Sequence, residues 1–334
     1  MSPYALIHMK QLLPVLISAM VLLFSTHLHA ASLTPGTPVE LTGTQGKFDF
    51  IKVDATLRRL LACHTQNGSL DVIDIDASKL IKSIPTGAAQ GVAVDDKGGR
   101  YFVSVSKPPK LVIIDSKTLE VTGEVPLSDP ADVMAYQPKS NRAFVCNDDK
   151  PELWIIDPEA KKIIATVNMP GFGMEDLGFN ADGSFLFQNL KDTGVLLKVD
   201  PAAQTVIDKW PTAPADKPHG LAMVDEQTAV LIAGGTGKLV LLDLASGKVL
   251  ASADIATRVD EIAYDPGLRQ AYCASGTGVI SVVSVEKGAL KTLDSIPSAQ
   301  GAHSIAVDPK THTVWIAFAK DTKAFVQPFT VSKP

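Results

Sequence analysis

Cysteine is scarce, three in 334 residues, an odd number that cannot pair completely and a density far below that of a disulfide-stapled small domain. Aromatic residues make up only 6%, too few to build a base-stacking platform for single-stranded nucleic acid. Basic residues do not outnumber acidic ones, 31 against 36, and the local clustering is confined to Lys107-Pro-Pro-Lys110, with Lys150 and Lys191 on comparable loops. No broad polycationic face is therefore expected. Past residue 30 no apolar run approaches the roughly 20 residues that span a bilayer as a helix. Helical periodicity over several turns is absent as well, which excludes a helix-rich fold. No Cys-x-x-Cys-His, His-Glu-x-x-His or Gly-x-Ser-x-Gly sequence occurs. Gly234-Gly-Thr-Gly-Lys238 lacks the spacing of a phosphate loop and joins two strand-like runs, so it reads as a hairpin turn.

What is present is a repeat. At intervals of 41 to 44 residues the same position carries a polar side chain: Asp49, Gln90, Asp132, Glu175, His219, Asp260 and His303. Each opens a short apolar stretch, as in Gln90-Gly-Val-Ala-Val-Asp and His303-Ser-Ile-Ala-Val-Asp. A second run follows, as in Arg59-Leu-Leu-Ala-Cys and Arg142-Ala-Phe-Val-Cys, then a third ending in Asp, as in Val72-Ile-Asp74 and Leu241-Leu-Asp243, then a fourth, as in Val249-Leu-Ala-Ser-Ala. Short Val, Ile, Leu and Thr runs between Gly, Asn, Asp and Pro clusters are strand and hairpin signals, and this period is that of a propeller blade. The expectation is an all-β, seven-bladed propeller with four-stranded antiparallel blades.

Six units fill residues 48 to 300, and the seventh, Gly301 to Ser332, supplies only three strands. Thr37-Pro-Val-Glu-Leu-Thr42 is expected to provide its fourth and to close the ring, which removes exposed sheet edges. The apolar run from Leu12 to Phe24, followed by small residues at Ala30 and Ala31, reads as an export signal cleaved near Ala30, leaving 31–334 as one propeller in the periplasm or secreted. Cys63, Cys146 and Cys273 are expected at one repeat position in non-adjacent blades, too far apart to bridge, and thus as free buried thiols. Nothing in a closed ring requires assembly, so a monomer is expected.

The Gly-Val-Ala-Val-Asp opening strand, the turns Asp182-Gly183 and Lys97-Gly98, the Val-Ile-Asp strand and the degraded signature Phe144-Val-Cys-Asn147 resemble the YVTN-repeat beta-propeller family. YncE-like periplasmic proteins, a WD40-like architecture, are closest in layout. The resemblance implies a periplasmic or surface propeller acting as a binding or scaffold module. It also implies a protein partner, or a nucleic-acid partner, as alternatives to a small polar ligand.

The opening strand should be innermost, placing the seven polar residues around the channel mouth, with His64, Asn147 and Asn189, at second-strand ends, on the same rim. His219, Asp260, His303 and Asp49 lie on four consecutive blades, a donor mixture suited to a divalent transition metal such as Zn, Mn, Fe or Cu. Gln90, Asp132 and Glu175 would complete a polar ligand site with His64, Asn147 and Asn189. Hydration of the mouth and hydrogen bonds to the next blade are the competing readings of these positions. A metal-dependent lactonase or hydrolase would need a general base, for which Glu175, expected opposite the histidines, is the candidate. No residue is otherwise assigned to catalysis.

Overall fold

The computed structural model describes residues 33–224 and 228–331. The expected export signal, residues 1–30, lies outside the described residues. Among those described there is no helix, and hence none long and apolar enough to cross a membrane. Seven antiparallel sheets succeed one another along the chain, blade 1 at 51–85, blade 2 at 89–126, blade 3 at 131–168, blade 4 at 174–211, blade 5 at 218–254, blade 6 at 259–297 and blade 7 at 304–331. Each opens on its inner strand, and the repeat length is the length of one four-stranded meander.

The recurrent Asp at the end of the third strand is a turn device. The Asp74, Asp115, Asp157 and Asp200 carboxylates each accept the backbone N–H groups two and three residues on, at 2.8–2.9 Å. Such an Asx turn substitutes for backbone pairing. The residue that follows is left-handed, as at Ser78, Leu119, Lys161 and Gln204. Asp54 heads the equivalent turn at the end of an inner strand.

Seven apolar cores lie between neighbouring blades. Leu61, Leu70 and Val72 of blade 1 meet Tyr101, Val103 and Val105 of blade 2, and Leu60 and Ile73 of blade 1 meet Trp315 and Val326 of blade 7. Because strand side chains alternate, each blade serves two cores. Trp154 and Trp315 are buried in these seams, the packing role expected of them. The seam between the first and last blades is latched by Arg58, whose guanidinium spans Asp76 at 2.7 Å and Asp308 at 2.8 Å.

Blade 7 is completed from the N-terminal side, though not by one strand over Thr37–Thr42. Leu33–Pro35 pairs with Val331–Phe329, and Val39–Glu40 pairs with Val326–Phe325. Pro35 and Pro38 have no N–H to donate, so the ladder is broken between two short pieces, and the clasp begins upstream of the expected segment.

The three thiols are free and buried, as expected, but their shared position is corrected. Cys63 and Cys146 face the following blade. Cys273 lies one residue earlier in its strand, opposite Ile262, and faces the preceding blade. A one-residue offset in a strand exchanges faces.

Candidate functional site

A bulge builds the ring. In blades 2 to 6 the inner strand loses register with the second strand at its first residues, between Ala89 and Val92, Ala131 and Met134, Met174 and Leu177, Pro218 and Leu221, and Val259 and Ile262. Two inner-strand residues there oppose one partner, and the first of the two is Gln90, Asp132, Glu175, His219 or Asp260. Blade 1 does the same, with Cys63 bonded to both Asp49 and Phe50. A bulge re-aims a side chain out of the alternating pattern, which is how polar residues at the head of an apolar strand reach the channel. Several ring carbonyls are tied to the preceding blade: Phe50 N–H donates to Gln90 at 3.1 Å, Asn189 Nδ2 to His219 at 2.8 Å, and Glu261 N–H to His303 at 3.2 Å. Ser104 Oγ donates likewise to the Asp132 carbonyl. At Gly220 an added Cβ would stand 2.8 Å from the Asp260 carbonyl oxygen, so glycine lets adjacent bulges touch.

The ring converges. Burial, then the neighbouring charges of Asp132, Asp260 and Glu175, raise the Asp49 carboxyl well above its usual range. Burial and Glu175 push Asp132 up to about 7. Burial raises Glu175 too, against the pull of Lys191 and His219. Asp260 goes the other way: burial works to raise it, but His303, His219 and Lys191 together hold it below the ordinary value.

Three ring residues from consecutive blades close into a cluster, with one ligand atom each from Glu175, His219 and Asp260 lying within 4.8 Å of one another. His219 Nε2 is 3.9 Å from Glu175 Oε1, and Nδ1 is 2.7 Å from the Lys217 carbonyl oxygen. That contact places a proton on Nδ1, so that Nε2 is the ring nitrogen turned toward the carboxylates, and an ion entering there would take the place of any proton Nε2 carries. Ligands about 2.1 Å from a common tetrahedral ion lie about 3.4 Å apart, so seating one would draw the cluster in by roughly 1 Å at its widest. Lys191 Nζ already donates to Glu175 Oε1, a cation on the same carboxylate that an entering ion must displace or share.

The expected set is therefore altered. Glu175 stands beside His219 rather than opposite the histidines. His303 Nδ1 is 2.9 Å from Asp260 Oδ2, outside hydrogen-bond geometry, and is not in the cluster. Neither is Asp49, to which Gln90, with its amide nitrogen turned toward acceptors, donates at 3.1 Å.

The second-strand residues do not line the mouth. His64 is fully buried, its Nδ1 2.7 Å from Asp71 and its ring stacked on Phe48 at 4.0 Å. It shares the parity of Leu60 and Ala62 and so points into the seam with blade 7. Asn147 caps its own loop, accepting from Asp149 and Lys150. Asn189 spends its amide nitrogen on the His219 and Gly220 carbonyls, a positioning role. Sequence reasoning missed Lys191 as a partner of Glu175, although it lies just past a second strand that ends at the rim.

Deeper in the channel Asp176 and Glu261, each the acid next to a ring residue, serve the blades. Asp176 accepts from Leu221 N–H at 3.0 Å and Glu261 from Ile305 N–H at 3.2 Å. Burial raises both, Asp176 to about 7. Lys52 is ringed by protein yet wetted by the channel, and burial lowers its pKa against the pull of Asp176. A cavity of about 1090 Å³ opens at that opposite end, walled largely by apolar inner-strand residues such as Val92, Met134 and Ile305.

No family model matches this chain, and no curated protein does. Solved structures match throughout. A chain of the "Crystal Structure of Mitotic Checkpoint Complex" has a TM-score of 0.78 at 14% identity, covering 100% of this chain and 99% of its own. The "Crystal structure of RRP9 WD40 repeats" gives 0.77 at 8% identity, over 90% and 100%. "Kuenenia stuttgartiensis Hydrazine Synthase" gives 0.73 at 14% identity, over 86% and 98%. At such identities the likeness is one of fold, which these propellers share with this chain.

Proposed function

We propose that this chain is an exported, non-enzymatic propeller of the YVTN-repeat, YncE-like kind that binds a divalent transition-metal cation at its channel mouth through Glu175, His219 and Asp260. The observation that carries the reading is the approach of one ligand atom each from Glu175, His219 and Asp260 to within 4.8 Å of one another. His303 stands beside Asp260, its Nδ1 2.9 Å from Oδ2. Imidazole with carboxylates suits Zn, Mn or Fe better than a purely oxygen-seeking ion. Binding requires deprotonated ligands, and the raised Glu175 makes affinity fall as pH falls toward the acid range. Calorimetric titration of zinc into chelator-treated protein should give one saturable site that Glu175→Gln/His219→Ala removes while the circular dichroism spectrum is kept. Equal binding by that variant would reject the site, and ester or lactone turnover lost with chelator would reject the non-enzymatic assignment.

The second reading, a scaffold for a protein partner, is favoured by Phe172. This side chain is 55% exposed on the loop Gly171-Phe-Gly173 beside the ring, and such a phenyl group suits an interface core. Phe172→Ser should reduce capture of that partner without changing cation binding.

A further inference from the structure

Next to the three-residue cluster a cavity of about 610 Å³ opens over blades 5, 6, 7 and 1. Its volume is that of a small-molecule site, roughly 300–1,000 Å³. His219, Asp260 and His303 form its floor, and Phe48 and Phe318 contribute apolar wall. Three cations surround it: Lys47, Lys217 and Arg258, all exposed. None of the three is drawn into an ion pair with another described residue. Elsewhere on the rim Lys191 is paired with Glu175, Lys150 with Asp129 at 2.8 Å and Lys110 with Glu124 at 2.7 Å.

Two of these cations sit on left-handed backbone, as Arg58, Lys161 and Arg269 do elsewhere. Lys217 and Arg258 occupy one repeat position, two residues before the ring residue, with φ of 52° and 57°. Blades 4 and 7 put Gly173 and Gly301 there, at 71° and 83°. Glycine is the default at such a left-handed position, so blades 5 and 6 accept backbone strain and in return hold a positive charge over the cavity. Of the side chains that line it three are basic, Lys47, Lys217 and Arg258, and one is acidic, Asp260, so the cavity as a whole favours an anion.

We propose that this cavity binds a small organic dianion, a phosphate monoester or a dicarboxylate. Lys47, Lys217 and Arg258 would hold its charged groups, and its carbon skeleton would lie against Phe318 and Phe48. The proposal deepens the cation reading, because a bound anion would sit beside the ion, but it rests on that reading only for that contact. Arg258 offers a planar fork that matches phosphate or carboxylate, with the lysines as point charges.

The test is calorimetric titration with phenyl phosphate and phthalate, and with benzyl alcohol as the neutral control, on zinc-loaded and chelator-treated protein. At least one anion should bind with a Kd below about 1 mM and benzyl alcohol should not. Lys217→Ala/Arg258→Ala should weaken that binding about tenfold or more while the zinc content stays at the wild-type level. Glu175→Gln, which lies outside the cavity, should lose zinc and keep the anion. Absence of binding by both anions, or equal binding by the double variant, overturns the anion site even if zinc is held. Loss of zinc binding throughout, with anion binding retained, removes the cation reading and leaves this one standing.

Discussion

Replacing Asp132 with Asn should stabilise the protein at alkaline pH and leave it unchanged in acid. Burial first, then the charges of Glu175, Asp148 and Asp260, push this carboxyl from an ordinary 3.8 up to about 7, with Lys191 opposing. The folded state thus keeps a proton that the unfolded state has released between about pH 4 and pH 7. Below that window both forms are protonated and the group costs nothing. As pH rises through it stability is lost, and above it the full penalty applies. At 1.36 kcal/mol per pH unit the ceiling is about 4 kcal/mol. Water in the channel screens part of it, which leaves about 1–2 kcal/mol. Asn keeps the shape and cannot ionise. Thermal unfolding in chelator at pH 4, 7 and 9 should therefore show Asp132→Asn melting about 3–5 °C above wild type at pH 9, with the gap closing toward pH 4. A pH-independent difference, or a variant less stable at pH 9, would refute the assignment of electrostatic strain to this position.

Removing the seam latch with Arg58→Ala leaves the buried Asp308 carboxylate without its cation and should cost about 2–3 kcal/mol in urea unfolding. Truncating the clasp at fully buried Leu41 with Leu41→Ala should cost about 2–4 kcal/mol and speed proteolysis at the blade 7 edge. Burial raises the Cys63, Cys146 and Cys273 thiols. All three should therefore resist a thiol reagent in the native state and react together in denaturant; rapid labelling of any one in the folded protein contradicts its placement. Gly220→Ala adds a methyl group against the Asp260 backbone and should weaken zinc binding without removing a ligand, read by the same calorimetric titration.

The blade count was legible in the chain because one meander is one repeat, and the ring because the same bulge recurs at the head of the inner strands. What alternation decides was harder to see. His64 ends a second strand, as Asn147 does, but strand-end position says nothing of face, and its parity with Leu60 sends it into a seam. Cys273 was misplaced for the same reason, by one residue. The clasp began early because prolines at 35 and 38 divide it. The cluster itself depends on which neighbours incline toward each other around the ring, Glu175 toward His219 and His303 toward Asp260. Spacing of 41 to 44 residues makes positions equivalent without setting those approaches. Lys217 and Arg258 share a repeat position just ahead of the ring, a signal that was present and unused.

The most direct test is elemental analysis of the full chain, purified without chelator or affinity histidines, beside Glu175→Gln/His219→Ala. The account predicts near-stoichiometric zinc, manganese or iron in the wild type and none in the variant. A wild type free of metal, or a variant that retains it, would contradict a cation site at Glu175, His219 and Asp260.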